Sequence, residues 1–244
     1  MIKLIVSDFD GTLAPYGSRG VSQSVKARIE AAIDRGLIVA VSSGRTYNEL
    51  VCELGEFADR IWFISCDGAC YMRGGRVFYE RKIETADLAY FFDMAGKGVS
   101  AVFHGAEKNY SIGVLPREAE VFSALPVTRI GEIKEKIFKV TAYGTDSKLP
   151  YGSGLRMHWD GGELRTAQYV NRFANKGTAL SDLQMRLMLT KFETACIGDS
   201  GNDIVMMKNA KYSFAVGNRS AELGEAVTAR VDRVEDAFDF LVGK

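Results

Sequence analysis

The 244-residue sequence predicts an α/β fold, a doubly wound parallel sheet interrupted by a smaller α+β unit. Three observations carry that expectation. Short continuous apolar runs, the mark of strands buried on both faces, alternate with stretches of helical period at both ends of the chain. Each run stops at a polar turn rich in Asp, Ser and Gly, and ligands of open α/β sheets bind beyond such strand ends. From about Glu80 to Thr166 the alternation gives way to short strands and hairpin turns, the pattern of an antiparallel insertion. The expected division is therefore a core of residues 1–81 and 167–244 and an inserted domain of residues 82–166.

Composition narrows the classes of function. Hydrophobic residues make up 47% and charged residues 25%, as in an ordinary water-soluble globular protein. Lys+Arg and Asp+Glu both number 31, so no net field draws the chain to nucleic acid or to an anionic membrane. The four cysteines, at 52, 66, 70 and 196, form no CxxC pair and read as small buried hydrophobes. With no membrane-length apolar run and no cleavable signal ahead of Asp8, a cytoplasmic protein is expected, as monomer or homodimer.

Ile2 to Val6 reads as the first buried strand. It runs into Asp8-Phe9-Asp10-Gly11-Thr12, where residues two apart lie ~6.5–7 Å from each other on one side of the chain. Two carboxylates so placed repel unless a cation or a shared proton intervenes, which suits a divalent metal with one acid as nucleophile and the other as proton carrier. Capping of a strand-end turn is the alternative reading of the same pair. Ser18 to Ser24 is a polar loop, and Val25, Ile29, Ala32 and Ile33 recur at helical spacing until Gly36. Leu37 to Val41 is the second strand. It ends in Ser42-Ser43-Gly44-Arg45, and Thr46 with Glu49 forms a capping box for the next helix. A hydroxyl and a glycine amide ahead of a helix form a seat for phosphate, or else Ser43 only caps. Ile61 to Ser65 is the third strand, followed by a hairpin of Tyr71–Arg73 and Arg76–Tyr79 around Gly74-Gly75.

In the insertion, a helix is expected from Thr85 to Lys97, strands at Val99–Phe103, Ile112–Leu115 and Ile137–Tyr143, and a helix opened by Pro116 through Leu125. Asp160 to Glu163 joins two further strands. The linkers are placed at Arg81–Glu84 and Arg165–Val170. His104, His158, Trp159 and the loop Gly152–Gly154 are candidates to meet a substrate, with packing or exposure as the simpler explanation. Asn175 then caps a helix whose apolar face carries Leu180, Leu183, Leu187 and Met188. Lys176 in its first turn is the wrong charge for a helix N-terminus, which makes sense if it faces bound phosphate and the acids of the first strand, with a solvated surface lysine as the alternative. Thr194 to Ile197 runs into Gly198-Asp199-Ser200-Gly201-Asn202-Asp203, whose carboxylates fit hard oxygen ligands of Mg²⁺. A helix at Ile204–Met207, a strand at Tyr212–Val216, the turn Gly217-Asn218, a helix around Ala221–Val227 and a closing helix around Val234–Leu241 complete the sheet.

DFDGTL at 8–13, SSGR at 42–45, Lys176 in NKGTAL and GDSGND at 198–203 occur in the order and spacing of the haloacid dehalogenase superfamily. The sequence resembles its Cof-like branch, subfamily IIB. The resemblance implies a Rossmann-like core with a C2B-type cap and a Mg²⁺-dependent phosphatase acting on a small phosphorylated metabolite through an aspartyl-phosphate. It implies Asp8 as nucleophile and Asp10 as acid and base. The metal falls to Asp8, the backbone carbonyl of Asp10, Asp199 and Asp203, and the phosphate to Ser43, Gly44, Lys176 and Asn202. A phosphotransferase of the phosphomannomutase kind is the alternative, and a non-catalytic phospho-acceptor a third. The chain departs from the common pattern at Asp67, where many relatives have Asn, and at Ser43, where many have Thr.

Overall fold

The computed structural model describes residues 1–16, 18, 20–145, 153–161, 163–217, 223–224 and 227–243, and these fall into two compact units. The first comprises Met1–Tyr79 and Asn175–Lys244. It holds β1 (Leu4–Asp8), α1 (Gln23–Asp34), β2 (Ile38–Ser42), α2 (Tyr47–Leu54), β3 (Trp62–Ser65), β4 (Cys70–Arg73) and β5 (Arg76–Glu80). The second unit, Glu80–Ala174, holds α3 (Thr85–Ala95), β6 (Ser100–His104), β7 (Asn109–Ile112), β8 (Leu125–Pro126), β9 (Lys139–Tyr143), β10 (Leu155–Gly161) and β11 (Thr166–Asn171). The chain then completes the first unit with α4 (Lys176–Arg186), β12 (Thr194–Gly198), α5 (Ile204–Met207), β13 (Tyr212–Val216), β14 (Ala229–Val231) and α6 (Val234–Val242).

The first unit is built on a sheet of order β14-β13-β12-β1-β2-β3-β4-β5. It is parallel from β14 to β3 and antiparallel where β3 meets β4. Every residue of β1 is buried, as a strand covered on both faces requires. Leu4, Val6, Ala40 and Ile64 pack against Leu180, Leu183, Met206 and Met207 on one face, and α1 packs with α6. Local sequence sets the helix starts. The Ser22 hydroxyl accepts from the Val25 amide at 3.2 Å to open α1. Thr46 and Glu49 make the expected capping box, with the Glu49 carboxylate accepting from the Thr46 amide at 2.8 Å. Strand order reverses at β1, which lies between β2 and β12, so the topological switch point falls at the carboxyl end carrying Asp8.

The second unit has a sheet of order β10-β11-β9-β6-β7-β8, antiparallel except for the edge pair β7–β8. One face is apolar: Leu88 and Phe91 of α3 pack on Ala101, Phe103, Val140 and Tyr169. Five expectations need correction. Cys52 is exposed, whereas Cys66, Cys70 and Cys196 are buried as expected. Arg165–Val170 is no linker. Ala167, Tyr169 and Val170 are buried in β11, which pairs with β9 and β10, so the units divide at Tyr79/Glu80 and Ala174/Asn175. The helix expected from Pro116 is a 3₁₀ segment, Arg117–Phe122, ended by Ser123 at φ 47°. Its continuation Leu125–Pro126 pairs with β7 instead. The strand expected at Ile112–Leu115 ends at Ile112, because Gly113 turns the chain at φ 76°. Met188 is 90% exposed, since α4 stops at Arg186 and the chain has already reversed. The helix around Ala221–Val227 falls largely outside the described residues, as do Asn218, Gly152 and Gly162.

Candidate active site

Three elements of the first unit deliver charge to the switch point. Asp8 closes β1, Asp199 and Asp203 follow β12, and Lys176 opens α4. The three aspartates are buried, and one oxygen from each lies within 4.8 Å of the others. Lys176, 3% exposed, enters this group: its Nζ lies 2.5 Å from Asp8 Oδ1 and 2.7 Å from Asp203 Oδ1. The oddly placed helix cation therefore faces the acids, as its position suggested.

The turns supply the precision. Asp203 Oδ2 accepts from the amides of Asp199 and Ser200, each at 3.1 Å, so the loop after β12 folds around its own last carboxylate. Thr12 donates to Asp199 Oδ1 at 3.4 Å. Gly11, at φ +87°, is obligatory here, because a Cβ would strike the Tyr16 ring and the Asp199 carboxylate. Gly68 plays the same part below Lys176. At φ +84°, its α-carbon lies so close to the Asn175 carbonyl that a Cβ would overlap it. It follows two further left-handed residues, Cys66 at φ 52° and Asp67 at φ 54°. Asn175 caps α4, its side-chain oxygen accepting from the Thr178 amide at 2.8 Å.

Burial is the main reason that Asp8 is pushed up to about 7. Asp203 and Asp199 add to the rise, and Lys176 opposes it. Asp199 is raised as well, by burial and then by Asp203. Burial works against the charge of Lys176, but Asp8 and Asp203 outweigh it and hold the ammonium protonated. Three carboxylates around one ammonium leave an excess of negative charge in a dry place, and oxygen donors of this kind suit a hard divalent cation.

The remaining predicted residues behave differently. Asp10 is outside the trio: its carboxylate is 40% exposed and is clasped by Arg45, with Nη2 2.6 Å from Oδ1 and Nε 3.1 and 3.0 Å from the two oxygens. Its side chain is therefore not a partner of the other three acids. Ser43 is buried. Its amide donates to Ile64 O at 2.9 Å and its hydroxyl accepts from the Arg45 amide at 3.1 Å. Over Gly44 lies the Asp67 side chain, which would stand 3.2 Å from a Cβ at that position. Asn202 is exposed, and its side-chain oxygen accepts at 2.6 Å from the Ser200 hydroxyl, which also lies 3.3 Å from Asp203 Oδ2. In the second unit, His104 is fully buried between Asn109 (3.2 Å) and Thr141 (2.9 Å), as a packed side chain of the sheet is. His158 and Trp159 are exposed on β10. Sequence reasoning named no role for Arg45, Thr12 or Tyr16. Arg45 and Thr12 stand inside the motifs already singled out, whereas nothing in the loop after Leu13 marks Tyr16.

Comparison with known proteins fits this geometry. Residues 5–149 and 161–237 match the family model of the haloacid dehalogenase-like hydrolases. A phosphoglycolate phosphatase of Methanoculleus marisnigri is 24% identical over 225 residues, covering 89% of this chain and 85% of its own. A 5-amino-6-(5-phospho-D-ribitylamino)uracil phosphatase of Escherichia coli is 22% identical over 244 residues, covering 93% and 88%. Among solved structures, a subclass IIB sugar phosphatase superposes with a TM-score of 0.77 at 20% identity, covering 98% of each chain. No described helix is long and apolar enough to cross a membrane.

Proposed function

Because the chain belongs to the haloacid dehalogenase-like hydrolases and is a phosphoric monoester hydrolase, we propose that it is a Mg²⁺-dependent phosphatase of small phosphorylated metabolites. The observation that carries the reading is the buried trio of Asp8, Asp199 and Asp203 gathered around Lys176 at the switch point. Asp8 and Asp199 are the residues to hold Mg²⁺, and Asp203 supports the seat, since its two oxygens already serve Lys176 and the turn amides. When bound, the ion would offset the excess negative charge and stabilise charge on the phosphoryl oxygens.

The chain's own groups account for the rest. Lys176 holds Asp8 by one oxygen, and the carboxylate attacks phosphorus in line with the ester bond. An O–P bond to Asp8 forms as the ester P–O bond breaks, and the departing oxygen takes its proton from Asp10. Water then attacks the phosphorus of the aspartyl-phosphate, gives its proton to Asp10, and the electron pair of the cleaved bond returns to Asp8. Lys176, with Ser43 and Gly44 at the head of α2, neutralises phosphate that the acids alone would repel. The relatives' substrates, phosphoglycolate and a phosphorylated ribityl compound, support a small hydroxylated leaving group.

The test is a screen of phosphorylated metabolites with Mg²⁺, with and without chelator, reading phosphate release. Chelator-sensitive release from at least one monoester is expected. Isomerised sugar phosphate without free phosphate would favour phosphotransfer, and no turnover of any monoester would contradict the reading.

A further inference from the structure

The mechanism above leaves Arg45 without a task, yet it clasps Asp10. Its guanidinium reaches both oxygens of Asp10 and lies 4.6 Å from the centre of the Phe9 ring. Its amide is held by the Ser43 hydroxyl at 3.1 Å and its carbonyl by the Cys66 amide at 2.8 Å. The pair lines a cavity of about 520 Å³ in the first unit, together with Tyr16 and Glu53. Asp10 itself sits beyond the end of β1, 40% exposed, where a short side chain has rotamers to choose from.

We propose that Arg45 is the positioning residue for Asp10, fixing it as the base that accepts a proton from water when the aspartyl-phosphate is hydrolysed. This rests on Asp10 having that role in the proposed function. A carboxylate accepting from a guanidinium fork is oriented in two directions at once, and in this form it is an acceptor only. That is what the second half-reaction needs: water's oxygen bonds to phosphorus, its proton goes to Asp10, and the bond from phosphorus to Asp8 breaks. The first half-reaction needs Asp10 as a donor, so the clasp has to open there. A half-exposed ion pair opens at little cost. Arg45 therefore favours hydrolysis of the intermediate over its formation.

An aryl phosphate separates the two steps, because its leaving group departs without help from an acid. For Arg45→Ala, kcat on the aryl ester is expected to fall roughly 10-fold or more, part of the 10²–10⁴ that a positioned base contributes. Its kcat/KM stays within about threefold, since that ratio reports transfer to Asp8. A pre-steady-state burst of aryl alcohol should appear, and Arg45→Lys, which keeps the charge without the fork, should lie between. Added to Asp10→Asn, Arg45→Ala should cause little further loss. A raised KM with unchanged kcat would make Arg45 a substrate ligand and overturn the proposal, as would full additivity with Asp10→Asn. If Asp10→Asn alone leaves hydrolysis intact, the role of Asp10 fails first. If Asp10→Asn slows hydrolysis and Arg45→Ala does not, only the role of Arg45 fails. A thermal melt of each variant identifies loss through unfolding.

Discussion

Asp8 and Asp10 stand two residues apart, and their surroundings divide them. Asp8 is 4% exposed and faces two acids and Lys176, whereas Asp10 faces the cavity and Arg45. The pairing of Lys176 with acids was legible because a cation in the first turn of a helix is electrostatically misplaced. The clasp of Arg45 on Asp10 was not, since nothing in an SSGR turn says which acid the arginine will meet. Neither was the exposure of Asn202, because a turn of four polar residues and two glycines leaves open which side chains point inward. Lys176→Met tests the buried cluster. Removing the ammonium leaves its carboxylates uncompensated, a loss of about 3–5 kcal/mol for a broken buried pair. Urea melts should show that loss without metal and a partial recovery with Mg²⁺. An unchanged midpoint would mean that Lys176 does not compensate the acids.

Single elements show where local signals suffice. The capping box at Thr46 and Glu49 and the cap at Asn175 were readable because such bonds lie within one turn of chain. The 3₁₀ segment at Arg117–Phe122 and strand β11 were misread, because tertiary pairing with β7 and β9 overrode the local pattern. Gly68→Ala probes the contact between the β3 turn and α4. A methyl group at φ +84° would meet the Asn175 backbone, which no rotamer relieves, so a loss of more than about 1 kcal/mol is expected together with reduced turnover. Wild-type stability would remove that constraint from the account. His104 gives the second unit an acid-sensitive element. Burial, and then the nearby Lys139, push its pKa down to about 3. The unfolded imidazole binds its proton near 6.5, so stability is complete above that pH and is lost as pH falls toward 3, by at most about 5 kcal/mol. His104→Gln should flatten this slope in melts between pH 7 and 4. The same slope in the variant would place the acid sensitivity elsewhere.

At the scale of the molecule, the alternation of apolar runs and helical stretches made the parallel sheet and its interruption legible, because both follow from burial. Edge strand β14 was missed: its three residues, Ala229, Arg230 and Val231, are mostly exposed and too few to show a period. Substrate choice was not legible either, for the sequence carries no motif that marks one phosphorylated metabolite over another. The central claim concerns the chain as a catalyst, that Asp8 forms a bond to phosphorus. Asp8→Asn keeps the shape of the side chain and removes the charged nucleophile, so the direct measurement is phosphate release by this variant under saturating Mg²⁺ and substrate. The account predicts release at the background rate from a folded protein. Substantial phosphatase activity in Asp8→Asn would contradict it.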